Sequence, residues 1–341
     1  MRSPDVPRKV LIVDDSRTIR RLIKSRLSRD PRIVVVGEAE DAYQAKRLVS
    51  ELSPDVLTLD IEMPGMNGLE FLRKLMRVRP VPVVMISAET QQGSERALEA
   101  LSLGAVDCVG KPGPGGLATA FSDLAELLYC AAGARLRPPQ RSPVKAASSA
   151  FHWNGRVVLV GSSTGGVDAL EIMLADYPEN CPPTLITQHM PKTFLSSFAR
   201  RLDSKVAPHV VLAEDGMGLE QGKVYLAPGG ETHLTLDWRA APLCRLLWSE
   251  KCGGYRPSVE VLFRSAIPWA NRISAVMLTG MGRDGAAAMR RLRDGGAECF
   301  AQDEATSAVY GMPRAAIENG AADRGLPITE IASAVLGTAQ S

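Results

Sequence analysis

The chain has 341 residues, of which 45% are hydrophobic and 23% charged, with a net charge of +2 at neutral pH. Such a length accommodates two or three ordinary domains, and the composition is that of a folded rather than a disordered chain. So small a net charge provides no field for nucleic acid or an anionic surface, and no apolar run reaches the ~18 residues of a membrane span.

The amino terminus, "MRSPDVPRK", is polar and runs straight into a strand-like segment, so no signal peptide is expected. From residue 9 to 130, β-branched runs ("KVLIV", "RIVVVG", "PDVLTLD", "PVVMIS", "AVDCVG") alternate with segments of helical periodicity ("SRTIRRLIKSRL", "DAYQAKRLVSEL", "GLEFLRKLMRV", "GSERALEALSLG"). This alternation predicts a parallel sheet covered on both faces. Residues 134–150, "ARLRPPQRSPVKAASSA", are rich in Pro, Ser, Ala and basic residues without apolar periodicity, as in a linker. The α/β alternation then resumes with "RVVLVG", "TLITQHM", "KVYLAPG", "HLTLD", "ISAVMLTG" and "GAECFAQD". The expected organisation is a first unit at 8–130, a flexible connector at 131–154 and a second unit at 155–338. The six cysteines show no C-x-x-C spacing and the four histidines do not cluster, which argues against a disulfide framework or structural zinc and fits a reducing, cytoplasmic setting.

In an open parallel sheet, ligands gather beyond the carboxyl ends of the strands. Asp14 and Asp15 follow "VLIV", Asp60 follows "VLTL", Ser87 ends "VVMI", and Lys111 follows the fifth strand. Three carboxylates meeting at one rim repel one another unless a hard divalent cation lies among them. The motifs "VDDS", "LDIEMPGMNGLEFL", "ISAET" and "GKP" occur in order, and residues 8–130 resemble a two-component receiver domain. The resemblance implies a flavodoxin-like five-stranded parallel fold with Asp60 as phosphoacceptor. It further implies Mg²⁺ held by Asp15, Asp60 and the backbone carbonyl of Glu62, with Asp14 assisting, and phosphoryl oxygens gripped by Ser87 and Lys111. The family often has an aromatic residue three before the lysine; this chain has Cys108 there.

In "VLVGSSTGGVDAL" (158–170), Gly161 to Gly165 satisfy G-x-S-x-G between a strand and a helix, the context of a nucleophile elbow centred on Ser163. A phosphate-binding turn is the competing reading, although the loop has neither G-x-G-x-x-G nor G-K-[ST]. A nucleophilic serine needs a base and an orienting acid. His189 follows the strand-like "PTLITQ" and precedes a turn, and Asp284 lies in the glycine-rich turn of "AVMLTGMGRDGA". His233 is the rival base, better suited to packing or a pocket wall. His152 and His209 lie near a linker and a domain edge, and Asp215 and Asp303 fit solvated turns. The order Ser, His, Asp differs from that of α/β-hydrolases, but a triad is defined by roles rather than order.

The stretches "GSSTGG", "ITQHMP", "YLAPGG", "LTGMGRDGA" and "AQDEATSAVYGMP" make residues 156–336 similar to the catalytic domain of the chemotaxis receptor protein-glutamate methylesterases. That resemblance implies a doubly wound, mostly parallel α/β domain with Ser163 as nucleophile, His189 as base and Asp284 as orienting acid. Thr164 and Met281 are implied on the oxyanion side, and Ser162 takes the place of a usual alanine. The implied activity is hydrolysis of receptor glutamyl methyl esters, with deamidation of receptor glutamines, needing no cofactor beyond the receiver's Mg²⁺. The implied partners are methyl-accepting receptors and a chemotaxis histidine kinase, and the unphosphorylated receiver is expected to block the esterase. Neither nucleic-acid binding nor membrane insertion is expected, and the chain is taken as a monomer. The alternative is a receiver-controlled regulator whose output domain binds a ligand or DNA.

Overall fold

The structure, a computed structural model, describes residues 6–88, 90–112, 121–136 and 151–341. The chain divides into two units, Met1–Gln140 and Arg141–Ser341. In the first, β1 (Arg8–Val13), β2 (Ile33–Ala39), β3 (Val56–Asp60), β4 (Val83–Ser87) and β5 (Asp107–Gly110) form one parallel sheet in the order β2-β1-β3-β4-β5. The helices are α1 (Arg17–Leu27), α2 (Ala42–Leu52), α3 (Gly68–Val78), α4 (Gln91–Ser102) and α5 (Leu124–Ala131). Every residue of β3 and β4 is buried, as expected of strands covered on both faces. Ser16, Asp41, Asn67 and Thr90 each accept a first-turn N–H, so four helices start where a short polar side chain can satisfy an orphan donor. The chain doubles back across β1 between β2 and β3, opening a crevice beyond the carboxyl ends of β1 and β3.

The second unit runs β6 (Val157–Ser162), α6 (Gly166–Ala175), β7 (Thr184–Gln188), α7 (Lys192–Asp203), β8 (His209–Leu212), β9 (Lys223–Leu226), β10 (Thr232–Asp237), β11 (Leu243–Trp248) and α8 (Val259–Ser265). It continues with β12 (Ile273–Met277), α9 (Ala286–Asp294), β13 (Glu298–Gln302), α10 (Met312–Glu318), β14 (Gly325–Leu326) and α11 (Ile328–Ala339). Seven of these strands form a parallel sheet, ordered β14-β13-β12-β6-β7-β9-β8. β6 is the switch point: the chain goes from it to β7 on one side and later returns to β12 on the other.

The "HLTLD" segment departs from the simple α/β alternation. It belongs to β10, which pairs antiparallel with β11 in a separate ribbon and buries Leu234 and Leu236 in the core. Of the expected connector, residues 137–150 lie outside the described residues. Residues 151–154 belong to the second unit instead: Phe151 is buried and Asn154 N donates to Ala339 O at 3.0 Å.

Candidate active site

β6 is buried throughout and ends at Ser162. Gly165 takes φ +76°, which lets the chain turn at once into α6, and a Cβ on Gly166 would lie 2.1 Å from Gln188 Oε1. The turn is tied down from three sides. Ser163 N donates to Thr279 O at 3.0 Å, and Ser163 O accepts from Gly166 N at 2.7 Å and Gln188 Nε2 at 2.9 Å. This is the sharp strand-to-helix turn expected of the motif.

In the parallel register, Ser162 pairs with Gln188, so Ser163 and His189 each follow a paired position on neighbouring strands. Strand spacing brings their backbones out of the sheet about 4.8 Å apart. His189 N extends the pairing by donating to Ser162 O at 3.0 Å. On the other side of β6, the loop after β12 carries Asp284, whose Oδ2 lies 2.8 Å from His189 Nε2. The same carboxylate accepts from Ser258 Oγ at 2.9 Å, Val259 N at 2.7 Å and Glu260 N at 3.2 Å, the start of α8. Burial acts to raise the Asp284 pKa, but the bonds to His189, Val259 and Ser258 and the charge of His189 outweigh it and hold the group below its ordinary value.

An ionised carboxylate only accepts, so His189 Nε2 carries a hydrogen, and in the neutral ring the lone pair is then on Nδ1. That nitrogen is buried and makes no hydrogen bond. The face of the ring stacks on Tyr255, with centroids 3.9 Å apart and planes 7° from parallel. Such an imidazole is oriented at one end and basic at the other.

The oxyanion-side candidates are close at hand. Thr164 is buried and its carbonyl accepts from Thr279 Oγ1 at 3.0 Å. A Cβ on Gly280 would come 2.7 Å from Ser163 Cβ, so the loop that continues into Met281 lies against the serine. His233 is buried, which lowers its pKa; its Nδ1 accepts from Ser258 N at 3.1 Å and its Nε2 donates to Glu250 O at 3.0 Å. His209 pairs with Asp203 at the surface, while Asp215 accepts from Leu246 N of β11 at 2.9 Å and Asp303 from nearby Thr306 N at 2.8 Å.

Several supporting residues were not singled out by the sequence. Gln188 Nε2 donates to both Ser163 O and His189 O, and its Oε1 accepts from Ser162 Oγ at 2.6 Å. Ser162 is therefore more than a small neighbour of the nucleophile, since its hydroxyl orients the amide that ties the two strand ends together. The glutamine's position beside His189 was the available signal; nothing local pointed to Ser258 or Tyr255.

The first unit gathers its polar residues as expected. One carboxylate oxygen from each of Asp14, Asp15 and Asp60 lies within 4.8 Å of the others. Lys111 Nζ sits 2.7 Å from Asp60 Oδ2 and 3.3 Å from Asp14 Oδ2, and the latter oxygen is buried without a hydrogen bond. Burial raises Asp14 and pushes Asp60 up to about 6, with Lys111 opposing. Hard carboxylate oxygens crowded at this spacing fit a divalent cation such as Mg²⁺. Glu62 turns its side chain to Arg96 at 3.1 Å while its N–H donates to Asp60 Oδ1 at 3.2 Å, which leaves its main chain on the acidic rim. Ser87 Oγ donates to Gly93 O at 3.1 Å, and Cys108 is buried on β5 opposite Met85.

The second unit thus carries a strand-end serine beside a histidine held by an aspartate, on a chain whose first unit has a receiver's sheet order and acidic rim. Comparison with known proteins agrees: the family model for CheB methylesterase matches residues 158–335, and that for the response regulator receiver domain matches 10–121. The chain belongs to the CheB methylesterase family. It is 51% identical to protein-glutamate methylesterase/protein-glutamine glutaminase 1 of Rhizobium johnstonii, over 97% of this chain and 96% of that protein. The corresponding protein of Caulobacter vibrioides is 49% identical, over 98% of each. Among solved structures, the Thermotoga maritima CheB methylesterase catalytic domain superposes with a TM-score of 0.52 at 37% identity, covering 54% of this chain and 99% of that one. These relatives support the hydrolase reading over a ligand- or DNA-binding output.

Proposed function

We propose that this chain removes methyl groups from glutamyl methyl esters of chemoreceptors, and deamidates receptor glutamines, under control of phosphorylation at Asp60. The observation that carries the reading is the imidazole of His189, held at Nε2 by Asp284 and unbonded at Nδ1, one strand spacing from Ser163. Ser163 Oγ attacks the ester carbonyl carbon as His189 Nδ1 takes the hydroxyl proton. The tetrahedral oxyanion is met by backbone amides at Thr164 and Met281, and the imidazolium by Asp284. The C–O bond to the methoxy group breaks, and His189 returns the proton to form methanol. Water, deprotonated by the same nitrogen, then cleaves the glutamyl-serine ester and frees the glutamate and Ser163. With a glutamine, ammonia leaves in place of methanol. General base help and oxyanion donors each supply roughly 10²- to 10⁴-fold in such sites.

The esterase needs no organic cofactor. In the receiver unit, Asp14, Asp15, Asp60 and the Glu62 carbonyl would hold Mg²⁺, which supplies charge neutralisation for phosphoryl transfer. Asp60 is the acceptor carboxylate, Lys111 neutralises incoming phosphoryl charge, and Ser87 offers a hydroxyl donor. The phosphodonor is a chemotaxis histidine kinase and the substrate the cytoplasmic part of methyl-accepting receptors. No helix among the described residues is long and apolar enough to cross a membrane.

The deciding experiment is methanol release from methylated receptor membranes by wild type and Ser163→Ala, with and without a small-molecule phosphodonor. Release that survives in Ser163→Ala rejects the serine mechanism. Turnover of the wild type that never responds to the phosphodonor rejects control through Asp60. Labelling by a serine-directed phosphonate, lost in Ser163→Ala, separates an enzyme from a binding module.

A further inference from the structure

The segment "CGGY", Cys252–Tyr255, is a tight hairpin turn. Cys252 and Tyr255 exchange both backbone hydrogen bonds, each 3.0 Å long. Gly253 and Gly254 take φ of +59° and +92°, the left-handed pair that a two-residue turn of the primed type demands. The turn delivers Tyr255 onto His189 in a parallel stack at 3.9 Å. At its far end the phenol reaches the glycine loop that leads to Asp284, since a Cβ on Gly282 would lie 3.5 Å from Tyr255 Oη.

We propose that Tyr255 is a positioning residue for the esterase reaction, its ring closing one face of His189 and stabilising the imidazolium that forms as Ser163 attacks. The inference rests on the Ser163–His189–Asp284 reading. Asp284 anchors the imidazole only at Nε2, and Nδ1 makes no hydrogen bond. One anchored end leaves the plane of the ring free to tilt; a face-on partner removes that freedom and keeps the Nδ1 lone pair aimed. The face of an aromatic ring is also electron-rich, so its attraction for the imidazole grows when the serine proton arrives. An interaction stronger in the charged state than in the resting state accelerates the step that creates the charge.

The test compares Tyr255→Phe, Tyr255→Leu and Tyr255→Met with wild type in two assays. One is methanol release from methylated receptors, read as kcat and KM; the other is the rate of phosphonate labelling at Ser163, which needs no receptor. Tyr255→Leu and Tyr255→Met are expected to lose about tenfold in both kcat and labelling rate with KM within about twofold, and Tyr255→Phe to stay within about twofold throughout. Thermal melting of each full-length variant checks that the fold is kept. The inference is overturned if the non-aromatic variants label as fast as wild type, if only KM moves, or if Tyr255→Phe is as slow as Tyr255→Leu. A wild type that labels at Ser163 yet releases no methanol counts against the receptor substrate and leaves the role of Tyr255 standing.

Discussion

Asp284 illustrates how much one carboxylate does here. It holds the hydrogen of His189 and caps α8 through two backbone N–H groups and the Ser258 hydroxyl. Replacing it by Asn keeps the shape but offers the imidazole the wrong tautomer, and kcat is expected to fall by about 10⁴-fold, measured as methanol release. Stability carries the same signature. The folded pKa lies below the ordinary 3.8, so the ionised group stabilises the fold above that pH and the contribution disappears as pH falls through the lowered value. The stability gap between wild type and Asp284→Asn should be widest near neutral pH and shrink below about pH 4; denaturant melts at several pH values check it. Ser163 and His189 were legible because each follows a strand-like run at a turn, and Asp284 because it lies in the glycine-rich loop after one. Gln188 and Tyr255 were not, because a hydrogen bond between neighbouring strands and a stack across a turn leave no periodic trace.

At the level of elements, the site is held by close approach between backbones. Val259, at the start of α8, fills the space between Gly161 of β6 and Gly285 before α9; a Cβ on either glycine would lie 2.3 Å from Val259 Cγ1. Val259 is stiff at χ1, so Gly161→Ala should cost about 1–3 kcal/mol. Adding Val259→Ala should recover part of that loss, a coupling that a double-mutant cycle of melting curves would read. The strand ends depend likewise on Gln188. Gln188→Leu removes its three hydrogen bonds at once, taking the acceptor of the Ser162 hydroxyl, the side-chain donor to His189 O and one of the two donors to Ser163 O, at a cost of roughly 1–3 kcal/mol in all. Slight misplacement of nucleophile and base can cost about 10²-fold in kcat, and activity in that variant should fall accordingly. Most strands and helices were readable from their apolar periods. β8 and β11 were passed over, and β14 has only two residues, too short for any period. β10 showed its alternation, but its partner and antiparallel direction depend on β11, a segment later in the chain.

For the whole molecule, the expected behaviour is that of a phosphorylation-gated enzyme. Asp60→Asn should abolish phosphoryl uptake and the response to a phosphodonor while basal methanol release stays at the unphosphorylated wild-type level. Mg²⁺ should raise the melting temperature of the wild type over that in chelator, and the rise should shrink in Asp60→Asn, because one of three converging carboxylates is gone. The order of residues along the chain was by itself enough to define two α/β units and the polar groups at their strand ends. Those features are local: a strand needs a run of apolar residues, an elbow needs glycines, a cap needs a hydroxyl or carboxylate. Only the folded sheet decided that His189 and Asp284, 95 residues apart, meet at 2.8 Å, and that Ser162, Gln188 and Tyr255 brace them. Strand order and register set those distances, and they come from the packing of the whole unit, which no short window of sequence contains.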